Sequence, residues 1–289
     1  MEFISEAQVM ENLDPEWEKK ILSTGGGVKN LWQLTQDWIS RPDSEVSQPV
    51  PWSSLTKKFG GLREGEMTVF SGDTGMGKTT YCINLIYFLA KRNIPTLSLS
   101  LEMGPLAVVK KMFQMFTGHP QRIELAKENT AWHEWSKSAP VYVADLKGQY
   151  AYDKFKLFMA YAAIHKKAKV ILVDHFHMLT NSEMKAAQLD EIIADMQRLA
   201  TLLKTSLLVI CHPAKLGGDG KERPIEMDQL KGSSGIKQYA DNVISVHYFK
   251  DKNISKIYLK KIRHDDYGRF MGDEITYELT NQLLFKELD

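Results

Sequence analysis

The sequence predicts an α/β fold: a mostly parallel, twisted β-sheet with helices on both faces, an antiparallel C-terminal edge and a short helical N-terminal arm. Three observations lead to this prediction. The chain has 289 residues and 43% hydrophobic content, enough to bury a substantial core. From Trp52 onward strand patterns alternate with helical patterns, the order of repeated strand–helix–strand units. After His247 strand patterns follow one another without helices, which indicates antiparallel strands at one edge.

The alternating region contains six predicted strands and four predicted helices. The strands are Met67–Ser71, Thr96–Leu101, Val141–Ala144, Val170–Asp174, Leu207–Cys211 and Val243–His247. The helices are Lys78–Lys91, Pro105–Phe116, Tyr152–Lys167 and Gln188–Lys204, the last with its apolar residues on one face. The antiparallel edge is predicted at Lys256–Ile262, Glu274–Leu279 and Leu283–Lys286.

Residues 1–50 are predicted to form an arm that precedes a single domain of residues 51–289. A helix at Pro15–Leu22 is followed by three glycines, and a second helix, Asn30–Ser40, has Asn30 as its N-cap. Leu31, Leu34 and Trp38 form one apolar stripe on this second helix. The stripe has to be buried, either on the chain's own core or on a neighbouring subunit.

Composition excludes several classes of protein. The formal net charge of +1 excludes a uniformly basic nucleic-acid binder, although a local basic loop remains compatible with it. The two cysteines, Cys82 and Cys211, form neither a disulfide framework nor a zinc-ligand pattern, which suits a reducing compartment. Because no stretch approaches 18 uninterrupted apolar residues, no membrane association is expected.

A phosphate-binding loop follows the first predicted strand and opens the first predicted helix. Its residues are Gly72, Asp73, Thr74, Gly75, Met76, Gly77, Lys78 and Thr79, and Thr80 continues the nucleotide-binding set. Glycines allow backbone N–H groups to surround a β-phosphate, and the helix N-terminus adds favourable partial charge. Lys78 is expected to reach the β- and γ-phosphates, and Thr79 to ligate Mg²⁺. The sequence therefore predicts binding of ATP, or another NTP or dNTP, with Mg²⁺.

Two acids complete the predicted hydrolytic site. Asp174 ends an apolar strand and is the expected second magnesium ligand beside Thr79. The position after it, where many such ATPases carry a glutamate, is His175. Glu102, at the end of another strand, is therefore the candidate for orienting and deprotonating water, although it also fits a helix-entry glutamate. His175 and His177 alternate on a strand end without a third ligand nearby, which favours packing beside the site over metal binding.

From about Trp52 to Leu288 the chain resembles the helicase domain of hexameric DnaB-like replicative helicases, which is a RecA-like ATPase domain. Within that family it is most similar to the phage primase-helicases and the mitochondrial Twinkle helicase. Six matches occur in order: the phosphate loop with Gly60–Glu66 before it, Ser100–Met103, the Asp174 strand, Cys211–Pro213, Leu230–Asp241, and Lys261–Arg263 followed by Gly268. Of these, only the phosphate loop is specific by itself.

The resemblance implies roles for individual residues. Glu102 matches the family's catalytic glutamate, His212 its γ-phosphate sensor, and Gln238 a glutamine associated with that sensor. Arg263 matches an arginine finger given to the neighbouring subunit's ATP, with Lys261 as a second cation acting in trans. Without the resemblance, alternating cations on an edge strand indicate only solvation or protection from aggregation.

A long polar segment, Pro213–Pro224, is the predicted nucleic-acid contact. It is glycine-rich and carries Lys215, Lys221 and Arg223, and Lys231 follows it. In the resembled helicases this loop faces the central channel and holds single-stranded DNA, through contacts of the sequence-independent kind. The alternative is a solvated loop whose acids, Asp219 and Glu222, dilute its charge.

The predicted function is that of a replicative DNA helicase, which translocates on single-stranded DNA as a homo-oligomeric, hexameric ring and hydrolyses ATP between subunits. A RecA-like recombinase or loader, or a nucleotide-switched scaffold, are the alternatives. A primase or polymerase is a further expected partner. The resembled helicases usually carry a primase-like N-terminal region, so this motor is expected to be excised, stand-alone or adapted to another task. We expect it in the cytoplasm of a bacterial or phage-infected cell, or in a mitochondrion as a processed fragment.

Overall fold

The computed structural model describes residues 1–19, 31–40, 47–102, 104–144, 151–180, 184–213, 224–230, 233–264 and 270–288. The strands in this part of the chain are β1 (Glu2–Phe3), β2 (Ser47–Gln48), β3 (Leu62–Arg63), β4 (Met67–Ser71), β5 (Thr96–Ser100), β6 (Val141–Ala144), β7 (Val170–Asp174), β8 (Ser206–Ile210), β9 (Asn242–Phe249), β10 (Ile254–Lys261), β11 (Glu274–Leu279) and β12 (Phe285–Glu287). The α-helices are α1 (Glu6–Asn12), α2 (Leu31–Ser40), α3 (Ser53–Phe59), α4 (Lys78–Lys91), α5 (Pro105–Thr117), α6 (Ile123–Glu128), α7 (Thr130–Ser138), α8 (Ala151–His165), α9 (Ala186–Leu203) and α10 (Ser233–Tyr239).

Most of these strands form one mixed sheet in the order β1-β6-β5-β7-β8-β4-β9-β10-β11-β12. Neighbours from β1 to β9 are parallel. Strands β9 to β12 are antiparallel to one another. This arrangement confirms the predicted fold class, including its antiparallel C-terminal edge.

Two apolar cores lie on opposite faces of the sheet. Successive strand residues alternate between them: Val69 belongs to the core under α8 and α9, whereas Phe70 belongs to the core under α4 and α5. Strands β4, β5, β7 and β8 are buried along their whole length. The parallel strands therefore have helices on both faces, as the alternating pattern predicts. In the described residues no helix is long and apolar enough to cross a membrane.

Predicted and observed boundaries differ by one or two residues in most elements. Strand β8, for example, begins and ends one residue earlier than predicted, and α8 ends at His165 rather than Lys167. Helices α3, α6, α7 and α10 and the two-stranded sheet of β2 and β3 were not predicted. These elements are short, so their apolar periodicity is too brief to be distinctive.

The beginning of the predicted N-terminal arm packs on the domain itself. Strand β1 pairs in parallel with β6, and α1 begins with a capping box between Ser5 and Gln8. The apolar residues of this segment, Ile4, Val9, Leu13 and Trp17, are all buried in the core under α8 and α9. A boundary at residue 50 therefore does not separate this segment from the sheet.

The second helix predicted in the arm, Asn30–Ser40, appears as α2. Its exposed apolar residues include Leu31, Trp32 and Ile39. The side chains of Leu34 and Trp38, and the predicted N-cap Asn30, lie outside the described residues. Of the predicted helix Pro15–Leu22, the described part is helical from residue 17 to residue 19. Docking of α2 on a neighbouring subunit stays a prediction.

An aromatic cluster joins the antiparallel edge to the helix that follows the phosphate loop. The Trp52 ring stacks on Tyr81 of α4 with centroids 4.5 Å apart, and its indole N–H donates to the carbonyl of Phe285 at 2.8 Å. Tyr81 in turn contacts the rings of Tyr277 and Phe285. Asn84 of α4 bonds to the backbone of the same edge. The position of α4 therefore depends on residues about 200 positions later in the chain.

Candidate nucleotide site

The loop Gly72–Thr79 leaves the carboxyl end of β4 and opens α4 directly. Three of its glycines, Gly72, Gly75 and Gly77, have φ values of +147°, +81° and +84°, which L-residues rarely adopt. A Cβ atom at Gly72 would also lie 2.4 Å from the carbonyl oxygen of Val246, whereas one at Gly75 would meet nothing within 4 Å. Glycine is required at Gly72 for space as well as for conformation.

Lys78, the first residue of α4, is held inside the loop. Its Nζ donates to the carbonyl oxygens of Gly72 and Asp73, each at 2.8 Å. The residue is buried, and burial lowers the pKa of its ammonium group, while the nearby carboxylates of Asp174 and Asp73 oppose that shift. The lysine thus presents a poorly hydrated cation at the place where the loop would hold phosphates.

Thr79 and Asp174 come together at the end of β7, as the predicted magnesium site requires. Burial raises the pKa of the Asp174 carboxyl, and a side-chain hydrogen bond with Thr79 opposes that shift. The Asp174 Oδ1 atom is buried without a hydrogen-bond partner among the described residues. An unsatisfied carboxylate oxygen beside a hydroxyl fits a divalent cation that prefers oxygen ligands.

Glu102, His175 and His212 converge at the ends of β5, β7 and β8. A Glu102 carboxylate oxygen lies 3.0 Å from Nδ1 of His175 and 3.9 Å from Nε2 of His212. The His175 and His212 rings meet edge to face with centroids 4.3 Å apart. The sequence assigned His175 to packing beside the site, with no third ligand nearby; the second part is wrong, because Glu102 and His212 from other strands lie next to it. The structure places it in contact with both the candidate base and the candidate sensor.

The three ligand atoms of this cluster lie within 4.8 Å of one another, close enough to suggest a metal site. Lys78 opposes that interpretation, because its ammonium group acts electrostatically on both Glu102 and His212. Burial, together with the charges of Lys78 and His175, lowers the pKa of His212 to about 4, although Glu102 opposes the shift. His212 is therefore neutral at physiological pH.

The predicted DNA loop begins directly beside this cluster. Pro213 forms an isolated antiparallel bridge with Leu230, so the two ends of the segment between them meet next to His212. Ile225 and Leu230 are buried in the core on the return side. The candidate DNA-contacting residues Lys215, Lys221, Arg223 and Lys231 lie outside the described residues.

Arg263 and Lys261 lie at the opposite end of the sheet from the phosphate loop. The Arg263 guanidinium forms an ion pair with Asp241, whose other carboxylate oxygen accepts the Met67 N–H at 2.7 Å. Met67 is the first residue of β4, and the phosphate loop follows its last, so the two ends are about 16 Å apart at 3.3 Å per residue. Arg263 therefore cannot act on the loop of its own chain.

Lys261 and Gln238 are both associated with the end of α10. The Lys261 Nζ donates to the carbonyl oxygens of Lys237 and Ala240, and burial lowers the pKa of its ammonium group. Gln238 is exposed on the same helix. No bond in the described residues places Gln238 against His212, so its link to the sensor stays a prediction.

Two residues were missed from the sequence, Lys111 near the phosphate loop and Asp241 at the opposite end of the sheet. Lys111 of α5 donates to the Thr80 hydroxyl at 3.1 Å, and burial lowers its pKa while Asp174 opposes the shift. Asp241 holds Arg263, as described above. Neither has a local sequence signal, because each reaches its partner across a long stretch of chain. Lys111 lies in an ordinary amphipathic helix, and Asp241 merely precedes a strand.

Comparison with known proteins identifies the family. The profile of the DnaB-like helicase C terminal domain matches residues 49–273. Similar curated proteins include the replicative DNA helicases DnaB of Treponema pallidum (strain Nichols), 22% identical over 227 residues, and of Haemophilus influenzae, 24% identical over 240 residues. Each alignment covers 75% of this chain and 51% of the relative. The chain therefore spans about half the length of these relatives.

Solved structures share the fold at low identity. One of them, an ATPase domain, has a TM-score of 0.72 at 15% identity, with 96% of this chain and 100% of that chain covered. A DnaB-like replicative helicase, described with its interactions with primase, has a TM-score of 0.73 at 15% identity, with 98% and 74% covered. Because the profile match covers most of the sheet and the whole nucleotide site, this chain belongs to the DnaB-like helicase C-terminal domain family.

Proposed function

We propose that this protein is an ATP-dependent DNA helicase that translocates on single-stranded DNA as a ring. The observation that carries the proposal is the set of side chains around one phosphate loop. Lys78 lies inside the loop, Thr79 meets Asp174, and Glu102 lies beside them at the end of β5. This is the constellation that phosphoryl transfer requires.

Each side chain has a distinct task in hydrolysis. Lys78 binds the β- and γ-phosphates, and Thr79 and Asp174 would hold the magnesium ion. Mg²⁺, when bound, neutralises charge on the phosphates. Glu102 orients and deprotonates the attacking water, since its half-exposed carboxylate is accessible to solvent. His212, neutral at physiological pH, is suited to donate a hydrogen bond to the γ-phosphate.

The position of Arg263 supports hydrolysis at subunit interfaces. It is 59% exposed at the end of the sheet opposite the phosphate loop, so it is available to a neighbouring chain. An arginine supplied in trans makes ATP turnover depend on assembly. In a closed ring, every ATP site receives an arginine from the adjacent subunit. We therefore propose a hexameric ring with Arg263 as the finger and Lys261 beside it.

Coupling to DNA is proposed through the segment between Pro213 and Leu230. Its ends meet beside His212, so a change at the γ-phosphate is transmitted to the loop that carries Lys215, Lys221 and Arg223. A primase is the proposed protein partner, by similarity to the DnaB-like helicase described with primase. The relatives reported above are bacterial, which favours the cytoplasm of a bacterial or phage-infected cell over a mitochondrion.

Strand separation tests the proposal. A forked DNA duplex with a fluorophore and a quencher on its two strands is incubated with protein, ATP and Mg²⁺. We expect fluorescence to rise with wild type, to stay flat with Glu102→Gln, and to rise with the control Glu124→Gln in exposed helix α6. ATP turnover on DNA without strand separation would instead indicate a recombinase or loader. ATP binding without turnover would indicate a nucleotide-switched scaffold.

A further inference from the structure

His175 contacts both Glu102 and His212. Its backbone is tied to that of Glu102, because the carbonyl oxygen of Asp174 accepts the N–H groups of both Leu101, at 2.7 Å, and Glu102, at 3.3 Å. The ends of β5 and β7 therefore move together. His175 has a side chain only 12% exposed, whereas that of Glu102 is 50% exposed.

The direction of the hydrogen bond between these side chains follows from their chemistry. A carboxylate can only accept, so Nδ1 of His175 carries the proton and donates to Glu102 Oε2 at 3.0 Å. Glutamate has three rotatable side-chain bonds, and a half-exposed one has little else to restrict them. In the described residues, the bond from His175 is the only side-chain hydrogen bond within 3.5 Å recorded for Glu102.

We propose that His175 is a positioning residue, which holds the Glu102 carboxylate for the attacking water and links it to His212 through ring contact. The inference rests on the proposed ATPase function and deepens it. When His212 binds the γ-phosphate and shifts, the His175 ring, whose centroid lies 4.3 Å from that of His212, shifts with it. The Glu102 carboxylate, which is hydrogen-bonded to His175, then changes its orientation. The rate of hydrolysis is thereby linked to His212, which directly precedes the loop that begins at Pro213.

Two substitutions separate the hydrogen bond from the ring. His175→Phe keeps a ring of similar size against His212 but has no donor. His175→Asn places an amide N–H close to the position of Nδ1 and restores the donor. His165→Phe, at the end of α8 and away from the phosphate loop, is the matched control. For each protein, ATP turnover is measured with and without single-stranded DNA, together with the ATP Kd and the thermal unfolding midpoint.

We expect His175→Phe to lower kcat by about 10- to 100-fold, because a base displaced by about 1 Å can cost that much. The ATP Kd and unfolding midpoint should be unchanged. His175→Asn should recover most of the loss in turnover without DNA, but not the response to DNA, because it lacks the ring that contacts His212. Wild-type turnover in His175→Phe would overturn the proposal. So would a loss that appears in Kd rather than kcat, or equal losses in the Phe and Asn variants.

A readout independent of turnover distinguishes this inference from the proposed function. In protein labelled with ¹⁵N-histidine, side-chain NMR should show His175 with its proton fixed on Nδ1. Glu102→Ala should remove that preference, while the other histidines outside the cluster keep their signals. A proton on Nε2 alone, or a signal insensitive to Glu102→Ala, would overturn the inference even in a protein that hydrolyses ATP.

Discussion

Replacing Gly72 by alanine tests whether the phosphate loop is built as the structure describes. The new Cβ would lie 2.4 Å from the Val246 carbonyl oxygen, at least 0.6 Å inside the 3.0 Å that real Cβ contacts respect. Because that oxygen belongs to the backbone of β9, neither side can give way without moving a strand. The φ of +147° adds strain for any L-residue.

Gly75→Ala is the matched comparison, because its Cβ would meet nothing within 4 Å and only its φ of +81° is unfavourable. Positive φ costs an alanine about 1–2 kcal/mol. Overpacking at Gly72 adds about 1–3 kcal/mol. At about 2–4 °C per kcal/mol for a domain of a few hundred residues, Gly75→Ala should lower the unfolding midpoint by about 2–8 °C and Gly72→Ala by about 4–20 °C.

The assay is thermal unfolding followed by circular dichroism, with ATP binding measured by fluorescence titration. In Gly72→Ala the carbonyl that Lys78 contacts has to move, so ATP affinity should fall together with stability. Equal unfolding midpoints in the two variants would refute the reasoning, because only Gly72 is crowded.

Three further predictions concern charge and packing. Asp174→Asn should abolish Mg²⁺-dependent turnover yet raise the unfolding midpoint at pH 7. Burial raises the pKa of the Asp174 carboxyl, so the ionised form destabilises the folded state, and asparagine carries no charge. Calorimetry and ATPase assays check these two results. His212 should titrate near pH 4 by NMR, and lower still in Glu102→Gln. Because an unfolded histidine binds its proton near pH 6.5, the contribution of His212 to stability is lost as the pH falls from 6.5 towards 4. A titration midpoint of about 6.5 in the folded protein would contradict this. Trp52→Ala should cost about 3–5 kcal/mol in urea denaturation, whereas Trp32→Ala, at an exposed side chain, should cost almost nothing; similar costs would contradict the packing described.

The sheet and the phosphate loop were predictable because their signals are local. Met67–Ser71 is a short apolar run, the loop follows within a few residues, and α4 begins at Lys78 as the motif requires. Asp174 could be assigned for the same reason, because it ends an apolar strand. In each case one segment of sequence contains both the element and the chemistry.

Other features depend on the order in which strands pair. Strand β1 has only two residues, so no periodicity marks it, and its place beside β6 is decided by burial of Ile4 and of α1. His175 and Glu102 are 73 positions apart, and they meet because β5 and β7 are neighbours in the sheet. That adjacency cannot be derived from alternation of strands and helices. His175 was for this reason assigned to packing.

Arg263 presents the same difficulty in stronger form. Its ion-pair partner, Asp241, lies across an antiparallel hairpin, and its proposed target belongs to another chain. From the sequence, alternating cations on a predicted edge strand are consistent with simple solvation, whereas in the structure β10 lies between β9 and β11. The distance of Arg263 from its own phosphate loop excludes action within its own chain, and that distance depends on the assembled sheet.

Complementation between two inactive variants tests the central claim, hydrolysis at subunit interfaces, most directly. Arg263→Ala keeps an intact phosphate loop, and Lys78→Ala keeps an intact arginine. Each alone should turn over ATP on single-stranded DNA about 10³-fold or more below wild type, with the wild-type hexameric mass in solution. When the two are mixed and reassembled, turnover should recover, because some interfaces pair an intact loop with an intact arginine. A mixture as inactive as its components, or an Arg263→Ala protein with wild-type turnover, would contradict the account.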